Sequence, residues 1–122
     1  MRCNLKELSE NTIKTVDGHH NSAIFGDNNC AHVKFKKGTD IGPILEGLQD
    51  NLCQCPHWGY LIKGHLIVSY GDGTEENVKG GDIFYWPPGH TVVYKEDSEL
   101  VEFSPKDEMA QVLAHIKKKL NA

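Results

Sequence analysis

The stretch "CQCPHWGYLIKG", Cys53 to Gly64, holds two cysteines and a histidine beside a proline and two aromatics. "GDIFYWPPGH", Gly81 to His90, follows closely and ends on a second histidine. Thiolate and imidazole together are the donors of zinc and of reduced iron, whereas magnesium and calcium take oxygen. Cys53, Cys55 and His57 alternate in sequence, so an extended strand would present all three to one face. A packed core is the competing reading. Cysteine often serves as a small buried apolar residue, and a buried imidazole can be satisfied by a backbone carbonyl. Pro56 can also bend the strand and break the alternation. Around these residues, Tyr60 and Tyr85 could aim hydroxyls inward, and Trp58 and Trp86 could line the mouth of a pocket.

The elements that must position these groups are mostly strands. "AHVKFKKG" alternates, with Val33 and Phe35 on one face and His32, Lys34 and Lys36 on the other, which places His32 at the surface. "YLIKGHLIVSY" reads as two strands broken at Lys63-Gly64, and Gly71 to Gly73 as a hairpin turn. "DIFYWPPGHTVVYKE" gives strand, proline turn and strand, and "SELVEFSP" a last strand. "DIGPILEGLQDN" fits one or two helical turns or an irregular loop. The first thirty residues are polar and rich in glycine and asparagine, with at most a short edge strand near Ala23 to Phe25. His19 and His20 read there as solvated, and His65 and His115 likewise. The end is helical: Ser104 as N-cap, Pro105 opening the helix, and Met109, Val112, Leu113, Ile116 and Leu120 on one apolar stripe.

Length and composition bound the function. A chain of 122 residues with 39% hydrophobic and 25% charged residues suits one domain, 1–122. Its barrel core would run from about 31 to 104 and its helix from about 105 to 120. The net charge of -4 and the lack of a basic patch argue against nucleic acid. No apolar run reaches the length of a membrane span, and "MRCNLKELSENTIKT" lacks the apolar core of a signal peptide. A cytoplasmic location follows as the expectation, with the four cysteines as thiols.

The quoted stretches resemble the cupin superfamily. "GDIFYWPPGH" is similar to its second motif, Gly, five residues, Pro, any, Gly, two residues, His, which Gly81, Pro87 and Gly89 match in register. "YLIKGHLIV" resembles the close of its first motif, with Tyr60 to Gly64 in the places of Tyr-Val-Leu-Glu-Gly. The resemblance implies an all-β fold, the double-stranded β-helix or jelly-roll barrel, here with a C-terminal α-helix. It also implies a divalent metal inside the barrel and pairing into homodimers, which would cover the exposed sheet edges of a short barrel. The family's ligand places are altered, however. His57 stands at the glutamate position, Cys53 and Asn51 at the first-motif histidine positions, and Val92 at the second-motif histidine position. His90 shares parity with Val92 and faces the same side. Cys53, Cys55, His57 and His90 are therefore the candidate ligands of a zinc or iron ion.

Three functions compete: a metal- or small-molecule-binding barrel, a metal-dependent enzyme of dioxygenase or isomerase type on a small polar substrate, and a structural partner of another protein. Four filled Cys and His positions would be closed and structural, whereas two histidines and waters would be open.

Overall fold

The computed structural model describes residues 1–8 and 11–121, the side chains of residues 11 and 12 aside. Within them the chain forms strands β1 (Asn11–Thr15), β2 (Gly18–Phe25) and β3 (Asn28–Phe35), a short helix α1 (Gly42–Leu45), and strands β4 (His57–Lys63), β5 (His65–Tyr70), β6 (Glu75–Lys79), β7 (Ile83–Trp86), β8 (His90–Tyr94) and β9 (Ser98–Pro105). Helix α2 (Lys106–Leu120) closes the chain. A six-stranded sheet runs β1-β2-β3-β9-β4-β7 and a three-stranded sheet runs β6-β5-β8. The strand pairs within both sheets are antiparallel. This is the all-β barrel expected from the sequence, with the expected C-terminal helix.

The two sheets enclose Leu61, Leu66, Val68, Trp86, Val92 and Leu100. Alternation puts one face of each strand into that core. On β4 the inward residues are His57, Gly59 and Leu61; on β8 they are His90, Val92 and Tyr94. Helix α2 buries Met109, Val112, Leu113 and Ile116 against Ile13, Leu45, Cys53 and Cys55, closing one end of the barrel. Leu120, the last residue of the expected stripe, is exposed, because the helix outruns the barrel end that it covers.

Two turn glycines set the register. Gly64, at φ 109° between β4 and β5, occupies a conformation that side chains avoid, and a Cβ there would meet Ser98 Oγ at 2.2 Å. Gly89, at φ 91°, ends the Pro87-Pro88-Gly89 turn and delivers His90 to β8.

The N-terminal third departs from the sequence reading. It is not loop but a three-stranded meander, with β2 and β3 joined by a two-residue turn at Gly26-Asp27. The strand pattern is hidden because inward positions of β2 and β3 carry His20, Ser22 and Asn29 in place of aliphatic residues. His20 is consequently buried rather than solvated. His32 does lie on the outer face, as its parity requires, yet it is buried there between His19 and Glu99, at 3.2 and 2.7 Å. Ser104 is no helix cap. It is the buried penultimate residue of β9, and Pro105 takes the N-cap place without a side-chain bond.

Candidate metal centre

Cys53 and His90 are brought together by backbone. They form an isolated antiparallel bridge, with Cys53 N–H donating to the His90 carbonyl at 2.9 Å and His90 N–H to the Cys53 carbonyl at 3.2 Å. The chain then leaves the extended line through Gln54, Cys55 and Pro56 before His57 opens β4. His57 pairs with Trp86 on β7, which fixes its ring inside the barrel. Cys53 Sγ lies 3.6 Å from His57 Nε2, and the His57 and His90 rings are 4.9 Å apart at their centroids. One donor atom from each of Cys53, His57 and His90 lies within 4.8 Å of the other two. The pair of imidazoles is thus close enough to share one ion with Zn–N bonds of about 2.1 Å.

Both rings are held from behind. Ser104 Oγ lies 2.6 Å from His57 Nδ1, and His90 Nδ1–H donates to the Pro87 carbonyl at 2.9 Å. That leaves Nε2 of each ring for a ligand, the arrangement by which proteins orient metal-binding histidines. Burial lowers the pKa of His57, with Glu102 opposing. Burial and the neighbouring His57 lower that of His90 to about 4. Both imidazoles are therefore neutral near pH 7 and can donate a lone pair. Burial pushes the Cys53 thiol up to about 12. It holds its proton until a cation replaces it.

Sequence reasoning passed over two further residues. Glu102, on β9, is buried and faces the same interior, with Oε1 3.5 Å from His20 Nε2. Burial alone would push its carboxyl up, but His57, His20 and His90 outweigh that and hold it at about 2. His20 Nδ1 and Nε2 and Trp86 Nε1 are buried without a hydrogen-bond partner of good geometry. A buried carboxylate and unpaired donors inside an apolar barrel are costly unless something polar meets them. The alternation of "SELVEFS" carried the signal: if Leu100 faces the core, Glu102 does too. The enclosed space is about 70 Å³, lined by His20, Cys53, His57, Trp86, His90 and Glu102 among apolar neighbours. The donor set, the free Nε2 atoms and the buried carboxylate all fit a soft divalent cation.

The other sequence candidates lie elsewhere. Cys55 is buried against α2, with Sγ directed to the Pro56 carbonyl at 3.5 Å, because the bend at Pro56 breaks the alternation. Trp58, Tyr60 and Tyr85 do not line the interior. His57 and Trp86 face inward, so their strand neighbours point out, and all three are exposed on the sheet's outer face. Trp86 alone of the four aromatics lines the cavity.

No family model matches the sequence, and a search of curated proteins gave no match. Solved structures do match. Ectoine synthase from P. lautus aligns over 91% of this chain and 84% of its own, at TM-score 0.65 and 13% identity. KdgF from Halomonas sp. aligns over 78% and 87%, at 0.54 and 25%. An RmlC-like cupin from Shewanella frigidimarina aligns over 74% and 77%, at 0.54 and 17%. The chain has the cupin fold, the double-stranded β-helix.

Proposed function

We propose that this protein is a metal-binding cupin whose centre is Cys53, His57 and His90, with Glu102 balancing the charge. The observation that carries the reading is the convergence of a thiol and two Nδ1-anchored imidazoles inside the barrel. One thiolate and one carboxylate would neutralise a divalent ion, and a neutral unit is the form that an apolar interior tolerates. Sulfur with two imidazoles favours zinc or iron. Cys55 is left to packing.

Bound there, a divalent ion would polarise an oxygen of a small polar ligand. The chain's own residues set the limits. A space of about 70 Å³ is well under the ~300 Å³ of a site for drug-sized molecules, so the ligand has few heavy atoms. His20 and Trp86 N–H groups would donate to it, and Glu102 would accept from it. Glu102 also favours a second reading, a metal-dependent cupin enzyme on a small polar substrate, since such chemistry needs an acid-base group beside the ion.

The protomer is read as one half of a homodimer, with neither nucleic acid nor membrane as partner. Among the described residues no helix is long and apolar enough to cross a membrane. The net charge of -4 offers no counter-charge to phosphate. A cytoplasmic location agrees with the buried free thiols.

Elemental analysis of the protein purified without added chelator tests the metal reading. One zinc or iron per chain is expected. Metal absent both as purified and after reconstitution with either ion would overturn it.

A further inference from the structure

A chain of hydrogen bonds on the outer face of the larger sheet takes no part in the metal centre. Glu99 Oε2 lies 2.7 Å from His32 Nε2, and His32 Nδ1 lies 3.2 Å from His19 Nε2. The two rings are 5.1 Å apart at their centroids and tilted by 49°. The bond with His32 holds the Glu99 carboxyl below its ordinary range, so it is ionised near pH 7 and accepts from His32 Nε2–H. With both rings neutral, His32 Nδ1 accepts from His19 Nε2–H. His19 Nδ1 is then the open end of the chain.

Pairing register surrounds this chain with cations. Lys14, His19, Lys34, Glu99 and Lys63 stand in one cross-strand row over β1, β2, β3, β9 and β4. Lys6 borders the same groove from the N-terminal segment. Four lysines thus stand around one carboxylate, which His32 already engages. No run of sequence shows this, because each lysine comes from a different segment. The groove has a volume of about 450 Å³, with Leu5 and Leu8 as an apolar wall. That lies within the ~300–1,000 Å³ of small-molecule sites.

We propose that this groove binds a small monocarboxylate with an apolar body. Its carboxylate meets His19 and the lysines beside it, and its apolar part meets Leu5 and Leu8. Binding brings in one proton, which enters at His19 Nδ1. The shared proton shifts from His19 Nε2 to His32 Nδ1, and His19 Nδ1–H donates to the ligand. The positive charge then lies on His32, between Glu99 and the bound carboxylate. One added proton matches one added negative charge, which selects a monoanion over a phosphate dianion. In the free protein burial lowers the pKa of His19, helped by His32, Lys34 and His20 and opposed by Glu99. A bound anion acts against that shift. Among the described residues, the charged and titratable groups around His19 are those three, Glu99, Lys14 across the β1 pairing and Lys6 in the groove.

Isothermal titration calorimetry of the purified protein with benzoate, in two buffers of different ionisation enthalpy, tests this. One benzoate per chain is expected to bind, at about 1 mM or tighter, with uptake of protons. Affinity is expected to fall by roughly threefold or more between about pH 6.5 and about pH 8. Benzamide, which lacks the charge, is expected not to bind, and inorganic phosphate is expected to bind roughly tenfold more weakly. His19→Gln should abolish the proton uptake and weaken binding by about tenfold. Lys34 is exposed, so Lys34→Ala keeps the test valid if circular dichroism shows His19→Gln to be misfolded; it should weaken binding by about threefold. No binding at about pH 6.5, equal binding of benzamide, or a site undisturbed by these substitutions would overturn the proposal. Binding without proton uptake would overturn the role of the histidine pair. Phosphate bound as tightly as benzoate would overturn the assignment to a carboxylate.

Discussion

Ser104 Oγ lies 2.6 Å from His57 Nδ1, deep in the barrel, forty-seven residues apart in sequence. The hydroxyl fixes which nitrogen of His57 faces Cys53. Ser104→Ala would free the ring to turn and leave Nδ1 buried and unpaired. We expect a loss of about 1–3 kcal/mol of stability and about tenfold in zinc affinity. Chelator-competition titration and thermal melts of the same preparation check both. An unaltered affinity would mean that the hydroxyl only packs.

Metal affinity should climb with pH. At neutral pH the imidazoles already lack the competing proton, since His57 is lowered and His90 sits at about 4. Cys53, pushed up to about 12, still holds its own. Binding therefore releases one proton, and the association constant should rise about tenfold per pH unit between about 6 and 9. Cys53→Ser should flatten that slope. Titrations at several pH values that give a slope near zero for the wild type would remove the thiolate from the centre.

Stability of the metal-free protein should fall on acidification. His90 has a folded pKa of about 4 against an ordinary 6.5, so the unfolded chain binds more protons between those values. Stability is full above about pH 6.5 and is lost as pH falls toward 4, by about 3 kcal/mol from this group. His57 acts in the same direction. Glu102, held at about 2, gives up its share only below about pH 4.5. Urea midpoints measured from pH 7 to 4 should drop, and the drop should shrink in His90→Asn.

The β strands from residue 57 onward were legible because their apolar residues alternate and their turns carry glycine. The histidine pair was legible from the motif register. The meander of β1 to β3 was not, because polar residues stand at its inward positions. His20 and Ser22 occupy positions where an ordinary strand would show aliphatic residues, so the period-two signal fades. Glu102 escaped for the same reason on β9: its outward neighbours Val101 and Phe103 are the apolar ones. Cys55 was misplaced because alternation holds only while the chain stays extended, and Pro56 ends that. Trp58, Tyr60 and Tyr85 follow from parity once His57 is known to face inward.

Gly59 shows how tightly β4 is held against its neighbours. A Cβ there would lie 2.3 Å from the Val101 carbonyl oxygen and 2.4 Å from Phe84 Cζ. Gly59→Ala must push β4 away from β9 or displace the Phe84 ring, and His57 moves with the strand. We expect a loss of about 1–3 kcal/mol and weakened metal binding. A thermal melt that matches the wild type would show the strand to be more accommodating than its geometry implies.

The central claim is that one ion sits between Cys53, His57 and His90. Titration of the metal-free protein with cobalt(II), followed by absorption spectroscopy, tests it most directly. The account predicts saturation at one cobalt per chain, with d–d bands of a low-symmetry site and a sulfur-to-cobalt charge-transfer band in the near ultraviolet. That band should vanish in Cys53→Ser and persist in Cys55→Ser. Binding without the sulfur band, or with the band lost in Cys55→Ser and kept in Cys53→Ser, would contradict it.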